Sequence, residues 1–216
     1  MAAKPRNRVI RAPSRAAYDR ETIEAILDEA IVSHVGTVGE AGHPIVIPTL
    51  HARDGDWLYI HGSAASKTLR RAQRAEICLT ATLIDGLVLA RSALHHSVNY
   101  RSVVVFGQAE LVDSADDKAT ALSAITEKLI PGRWDDVRAP NELELRATSV
   151  LRLPLAEASA KLRTGGPVDD EPDYDLPIWA GTVGLRLVAG EPRPDDRLLP
   201  GVERPAYVGA LVNSMP

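Results

Sequence analysis

Hydrophobic residues change their spacing near residue 31, from the period of a helix to the alternation of strands. Before that point, four apolar residues recur every three or four positions: Ile23, Ile26, Leu27 and Ala30. This spacing predicts a helix over residues 19–30, with Asp19 placed to cap its first turn. After that point, apolar and polar residues alternate over residues 32–38, 45–51 and 57–61. Such alternation predicts half-buried strands, arranged here as an antiparallel meander.

Two Asp-Gly pairs predict tight turns between strands. Asp54-Gly55 predicts a hairpin, because a two-residue turn requires positive φ and this pair tolerates it. Asp85-Gly86 predicts a second hairpin of the same kind, between strands over residues 77–83 and 87–92.

The remaining segments add helices and two more strands. We predict helices over residues 66–75 and 142–147, and a third that starts at Ser114 and buries Leu122, Ile125 and Leu129. The β-branched run within residues 100–111 predicts a strand, and residues 148–155 predict the last strand of the body.

Six or seven strands joined by hairpins, with few helices, predict a mainly β fold, a closed or nearly closed antiparallel barrel. A parallel α/β sheet would need a helix after each strand, which this pattern lacks. We expect a flexible N-terminal arm over residues 1–15 and a barrel domain over residues 16–163. A Pro- and Asp-rich C-terminal extension over residues 164–216 is expected to wrap the barrel.

Composition and charge argue against several classes of protein. The net charge of -4 is not that of a protein that binds duplex nucleic acid. The single cysteine, Cys78, lies in an apolar run and predicts a small buried hydrophobe, without a disulfide or a cysteine zinc site. No apolar run approaches the ~20 residues of a membrane span, and no hydrophobic region follows the basic N-terminus. We therefore expect a cytoplasmic protein, and no motif predicts a metal site.

Candidate chemistry concentrates in residues 61–74, where a strand ends, a loop of small residues follows and a helix begins. The first turn of a helix has unpaired N–H groups that favour an anion, and Ser63, Ser66 and Lys67 add hydroxyl donors and a positive charge. Lys67, Arg70, Arg71 and Arg74 share one helical face. This pattern indicates a phosphate site, although a solvated basic helix with a serine cap would have the same spacing.

A nucleotide triphosphatase loop is an alternative explanation of the same segment, because it ends in Ser-Lys-Thr. Such a loop requires glycine immediately before the lysine and again five residues earlier. This chain has Ser66 and His61 at those two positions, and the preceding strand belongs to a hairpin. The alternative is therefore disfavoured.

Two further segments, residues 85–92 and 95–107, resemble the pyridoxamine 5′-phosphate oxidase-related family, in its nitroimidazole-resistance-like branch. The resemblance covers about residues 18–163 and is most specific over residues 99–107. It implies a split-barrel fold, a homodimer, and one flavin mononucleotide (FMN) at each end of the dimer interface. The C-terminal ending lacks the Arg-rich pattern of the vitamin B6 oxidases, so genuine pyridoxamine phosphate oxidase activity is not expected.

The resemblance also implies roles for individual residues. Ser66 and Lys67 would hold the phosphate, and His61, Gly62 and Ser63 would follow the ribityl chain. The ring would lie beside three strand residues, Ile47, Pro48 and Thr49. The partner subunit would contribute Ser97, Asn99 and Arg101.

We therefore expect a flavin-dependent oxidoreductase that acts on a small heteroaromatic or nitro-bearing substrate. No catalytic acid or base is identified, and His96 and Arg101 are the candidates for substrate contact. A non-catalytic carrier of flavin or haem, and a reductase that uses the deazaflavin coenzyme F420, remain open as alternatives.

Overall fold

The structure is a computed structural model that describes residues 5–214, so the first four residues of the predicted arm and the last two of the extension lie outside it. The helices are α1 (Arg20–Glu29), α2 (Lys67–Ala72), α3 (Ala115–Leu129), α4 (Glu142–Ala147) and α5 (Ala206–Ser214). The strands are β1 (Ala16–Ala17), β2 (Val32–Val38), β3 (Pro44–Asp54), β4 (Trp57–Ser63), β5 (Glu76–Leu89), β6 (Ser97–Gln108), β7 (Glu110–Val112), β8 (Thr148–Pro154), β9 (Glu157–Arg163) and β10 (Gly181–Gly184).

All ten strands of the described residues belong to one antiparallel sheet. Its order is β1-β9-β6-β5-β2-β3-β4-β8-β7, with β10 paired to β5. Strands that follow each other in sequence lie in different halves of the sheet. β6 pairs with β9, whereas the next strand, β7, pairs with β8. In the same way, β8 pairs with β4, whereas the next strand, β9, pairs with β6. These crossings close the sheet into a split barrel. The mainly β, antiparallel fold class is confirmed.

The core forms because every second side chain of the strands points inward. Fully buried residues on facing strands include Val35, Leu58, Leu79, Val103 and Leu151. Helix α1 begins at the predicted cap, where the Asp19 side chain accepts from the Thr22 N–H at 2.8 Å. It adds Ile23, Ile26 and Leu27 to the same cluster, and α2 adds Leu69 and Ala72. The amphipathic spacing of both helices therefore serves one continuous core.

The first predicted hairpin is confirmed, with its loop one residue later than expected. Asp54 pairs with Trp57, so Gly55 and Asp56 form the loop, and Gly55 has a φ of +54°. Helix α2 ends at Ala72, three residues before the predicted end at residue 75.

The second predicted hairpin, at Asp85-Gly86, is wrong. Strand β5 runs through both residues and stays paired with β6, with a β-bulge between Ile84 and Gly86. The glycine is needed for a different reason: β10 crosses so close that a Cβ on Gly86 would lie 2.7 Å from the Val183 carbonyl oxygen. Asp85 turns its carboxylate to Arg101, with an oxygen 2.7 Å from Nη2.

This close approach makes Gly86→Ala a test of how the C-terminal extension is attached. The added methyl group would meet backbone atoms of β10, which cannot rotate away, so we expect β10 to separate from β5 at a loss of about 1–3 kcal/mol of stability. Hydrogen exchange of residues 181–184 and the free energy of unfolding measure the effect. Gly184→Ala is the matched control, because a Cβ there has no atom within 4 Å. Equal exchange in the two variants would contradict the expectation.

The predicted last strand of the body, β8, is followed by another, β9, which pairs with β6 over seven residues. Beyond it, the chain makes a 3₁₀ turn (Glu171–Asp175), β10 and helix α5. Many apolar side chains of this part stay exposed, including Trp179 at 67% and Val188 at 70%. No helix of the described residues is long and apolar enough to cross a bilayer.

Candidate functional site

The loop between β4 and α2 presents two serine hydroxyls. Ser66 caps α2, and its Oγ accepts from the Leu69 N–H at 3.3 Å. The Ser63 Oγ accepts from the Ala65 N–H at 3.2 Å. A hydroxyl that accepts in this way still has its own proton to donate. Both hydroxyls can therefore point a donor toward a ligand outside the loop.

The positive charges of α2 are not equivalent. Arg71 is occupied by an ion pair in which its Nη2 lies 2.8 Å from Glu40. Arg70 reaches back to the Ala64 carbonyl at 3.4 Å. Lys67 and Arg74 are exposed, and neither side chain has a hydrogen bond or ion pair with another residue of the range 5–214. Of these two charges, Lys67 is the one that adjoins the serine loop.

The end of β4 contains a histidine with an unsatisfied nitrogen. His61 is half-buried, and its Nδ1 is buried without a hydrogen-bond partner among the described residues. Burial lowers the pKa of His61, which favours the neutral form of the ring. Its neighbour Gly62 leaves room for α2, because a Cβ there would lie 2.9 Å from the Leu69 Cδ1.

Strands β3 and β4 diverge beside this loop. Their ladder extends from Asp54–Trp57 to His51–Ile60 and no further. Beyond it, β4 continues along β8 to Ser63, whereas the first part of β3 pairs with β2. We call the resulting gap the split. Of the residues expected beside a flavin ring, Ile47 and Thr49 are half-buried and Pro48 is exposed, all on the β3 side of the split.

The residues expected from strand β6 lie elsewhere in the same chain. Arg101 pairs with Leu83, seven residues along β5 from Glu76, where the chain arrives from α2. At about 3.3 Å per strand residue, this separation is roughly 23 Å. Within one subunit, no hydrogen bond or ion pair of the described residues joins Ser97, Asn99 or Arg101 to the serine loop.

Two of these β6 residues also have partners within the chain that the sequence did not predict. The Arg101 guanidinium contacts the carboxylates of Asp85 and Glu29, which together raise its pKa. Asn99 donates to the Gly165 carbonyl at 3.1 Å and accepts from Arg163. Ser97 is half-buried opposite Val88. Long-range partners of this kind leave no trace in local sequence pattern.

The two adjacent histidines lie in the loop between β5 and β6 instead of on a strand. The His96 Nδ1 is 2.9 Å from the Ser92 carbonyl oxygen. The His95 Nδ1 lies 3.7 Å from the buried carboxylate of Asp169. The two rings thus have different partners.

Asp169 joins the C-terminal extension to this loop. Its side chain is fully buried and accepts from the Arg91 N–H at 3.0 Å and the Arg91 Nη1 at 3.1 Å. Burial alone would raise the pKa of Asp169, but these hydrogen bonds outweigh it and the pKa is lowered. Arg91 also lies over the Tyr174 ring, 4.9 Å from its centroid. Sequence pattern gave no indication of this contact.

Comparison with known proteins identifies the family. The family model described as pyridoxamine 5′-phosphate oxidase matches residues 19–162. The chain belongs to the pyridoxamine 5′-phosphate oxidase family. The family resemblance inferred from residues 85–107 is thereby confirmed.

Two solved structures resemble the chain over nearly its whole length. The flavocytochrome Anf3 from Azotobacter vinelandii is 43% identical, with a TM-score of 0.92, over 96% of this chain and 97% of that one. A FAD and haem binding protein from Mycobacterium smegmatis is 35% identical, with a TM-score of 0.87, over 92% of this chain and 97% of that one.

A third solved structure, less similar in sequence, shares the fold alone. It is a candidate 5-nitroimidazole antibiotic resistance protein from Bacteroides thetaiotaomicron, 24% identical with a TM-score of 0.58, over 68% of this chain and 85% of that one. No curated protein matches the chain.

Proposed function

We propose that this chain binds a flavin nucleotide whose ribityl phosphate docks on the serine loop and Lys67. The observation that carries the proposal is the exposed Lys67 ammonium, without a protein partner among the described residues, beside two serine hydroxyls at the split. A phosphate there would accept charge-assisted hydrogen bonds. The unpartnered Nδ1 of His61 fits the same cofactor, because a hydroxyl of the ribityl chain could bond to it.

The form of the flavin follows from what lies beyond the phosphate. FMN is the form that the sequence favours, and its single phosphate would lie at Lys67. FAD carries a second phosphate, and the mycobacterial relative is named for it. Arg74, exposed one to two turns further along the cationic segment, could serve that second phosphate. A deazaflavin would use the same phosphate grip.

The site is completed, in this proposal, by a second copy of the chain. Ser97, Asn99 and Arg101 make no hydrogen bond or ion pair with the serine loop of their own subunit among the described residues, and in this proposal they reach the flavin from the partner's β6. Apolar side chains on the outer face of β2 and β3 support a homodimer: Val32, Val38 and Val46 are 41%, 57% and 64% exposed. Exposed apolar patches of this kind mark protein interfaces.

A haem is the second cofactor that we propose. Support comes from the two relatives above, which match the C-terminal extension as well as the barrel. Support also comes from His96, whose Nδ1 lies 2.9 Å from the Ser92 carbonyl oxygen, a group that only accepts hydrogen bonds. The Nδ1 bonded to Ser92 therefore carries the proton, and the exposed Nε2 keeps its lone pair for an iron. Leu94 and Val98, each two residues from His96 in sequence, expose apolar side chains that a porphyrin could cover.

The activity proposed is electron transfer to a small heteroaromatic or nitro-bearing acceptor. The flavin would supply the redox chemistry, and the protein its position and electrostatics. Residues of β3 would cover one edge of the ring, and Arg101 of the partner subunit could approach a substrate only by leaving Asp85 and Glu29. A carrier without turnover is the alternative.

The visible spectrum of the purified protein is the first experiment. Flavin absorption, together with a haem Soret band, is the expected result. Reduction by NADPH or a reduced deazaflavin, followed by reoxidation with a nitroimidazole, would support the enzyme over the carrier. A colourless protein that takes up neither FMN, FAD nor haem on titration would refute the proposal.

Lys67→Ala tests the phosphate contact directly. Loss of a charge-assisted hydrogen bond is expected to weaken flavin binding by about 1–3 kcal/mol, or roughly fivefold to 150-fold in Kd. Fluorescence titration of flavin-free protein with FMN and with FAD measures it. Arg74→Ala removes an equal charge from the same segment and should leave FMN binding unchanged. A wild-type Kd in the Lys67 variant would count against the site.

A further inference from the structure

A second candidate site lies away from the split, where the β5–β6 loop meets the C-terminal extension. His95 comes from the loop, and Asp170 and Asp173 come from the segment at the Glu171–Asp175 turn. One ligand atom from each of these three side chains lies within 4.8 Å of the others. Residues more than seventy positions apart in sequence are thus gathered around one point.

The two carboxylates of this group have no partner that would neutralise them. Neither side chain makes a hydrogen bond or ion pair with another residue of the part of the chain that the structure describes. Asp170 stands at the N-cap of the turn, yet its side chain accepts no capping hydrogen bond. Two unpaired carboxylates held this close repel each other, so a cation between them would stabilise the arrangement.

The histidine faces a third carboxylate. The His95 Nδ1 is buried, makes no hydrogen bond in the described residues, and faces Asp169 at 3.7 Å. Asp169 is itself fixed by Arg91 and by the Ser92 N–H at 3.4 Å. With Nδ1 turned to this carboxylate, the other nitrogen, Nε2, is left to meet a ligand. A carboxylate behind a histidine is the usual support of a metal-bound imidazole.

We propose that His95, Asp170 and Asp173 bind a divalent transition metal ion, with Asp169 as the positioning residue behind His95. One imidazole and two carboxylates suit zinc and similar ions, whereas magnesium and calcium prefer oxygen ligands alone. Ligands at about 2.1 Å from an ion lie roughly 3–4 Å apart. The side chains therefore need to close by only a small rotation, which is open to the exposed Asp170 and the half-buried His95 and Asp173. The ion would tie the extension to the barrel.

The test uses the full chain, free of affinity tag, washed with a chelator and then titrated with Zn²⁺ by calorimetry and with Co²⁺ by visible absorption. About one ion per chain is expected, with the absorption of a low-symmetry Co²⁺ site. Asp173→Asn should weaken binding tenfold or more. Asp175→Asn removes a charge from the same turn outside the group and should bind as wild type. Absence of binding, or equal binding by both variants, would overturn the proposal.

A structural readout separates a bound ion from a misfolded variant. Saturating Zn²⁺ should slow protease cleavage of residues 164–180 in the wild type and not in Asp173→Asn, while both give the same circular dichroism. Cleavage that is insensitive to Zn²⁺ in the wild type would also count against the ion as a tie. Neither measurement depends on flavin or haem. A negative result for the metal site would therefore leave the proposed cofactor binding untouched, and a negative result for cofactor binding would leave the metal site untouched.

Discussion

Replacement of His96 by alanine is expected to abolish the haem Soret band while the flavin bands stay. The expectation follows from the bond that fixes the ring: the Nδ1 proton goes to the Ser92 carbonyl oxygen at 2.9 Å, so Nε2 is the free nitrogen. A ligand removed from an iron leaves the porphyrin with only its apolar contacts. Reconstitution of cofactor-free protein with haem, followed by the visible spectrum, measures the loss.

Controls can separate a ligand from a structural residue. His34→Ala removes another exposed histidine, on β2, and should retain the Soret band. Imidazole added to the His96 variant should restore it, because the vacated volume admits the missing ring. Persistence of the Soret band in the variant would show that His96 is not the haem ligand. Absence of the band in the reconstituted wild type would refute haem binding.

Local chemistry made much of the fold predictable. Helix α1 begins after Asp19, and α4 occupies the predicted residues 142–147, because capping residues and apolar spacing act within a few positions. In strand β5, local sequence predicts the wrong backbone. Asp85-Gly86 matches Asp54-Gly55 in sequence, but at Gly86 the crossing of β10 decides the backbone. That contact lies about a hundred residues away and cannot be inferred from the dipeptide.

Strand β9 shows the second limit of sequence pattern. Its sequence, Glu-Ala-Ser-Ala-Lys-Leu-Arg, has no β-branched residue and little intrinsic preference for a strand. Pairing with β6 overrides that weakness, and the small residues Ala158 and Ala160 fit the core because larger neighbours fill it. The strand is therefore decided by tertiary packing.

In the candidate site, too, local features could be predicted from sequence and long-range contacts could not. The serine loop and Lys67 were predictable, because caps and helix starts are local. The partners of Arg101, the link between Asp169 and Arg91, and the approach of Asp170 and Asp173 to His95 each join distant segments. The residues most tightly engaged in these contacts carry no motif.

Acid is expected to destabilise the protein through His51, which is 1% exposed. Burial, together with the charge of Lys128, lowers the pKa of His51 to about 4 from 6.5. Between those pH values the unfolded chain binds a proton that the folded chain does not, so stability is full above pH 6.5 and falls as the pH drops to about 4. At about 1.4 kcal/mol per pH unit, the loss is roughly 3 kcal/mol.

Urea unfolding between pH 7.5 and pH 4.5 measures this loss. In His51→Gln the slope of stability against pH should flatten, because glutamine can still accept from Lys128 but does not titrate. His34→Gln removes an exposed histidine and should keep the wild-type slope. Identical slopes in wild type and His51→Gln would mean that other groups cause the acid sensitivity.

The charge of Lys128 adds to the effect of burial on the pKa of His51. Its ammonium group lies 2.7 Å from the carbonyl oxygens of Leu27 and Ala30 and 2.8 Å from the His51 Nε2. The His51 Nε2 also lies 2.9 Å from the Leu27 carbonyl oxygen, so the ring and the ammonium meet at the same acceptor. Burial lowers the pKa of Lys128 to about 8, which leaves it charged at pH 7. A proton on His51 would therefore set two cations side by side at the C-terminal end of α1, where acid unfolding should begin.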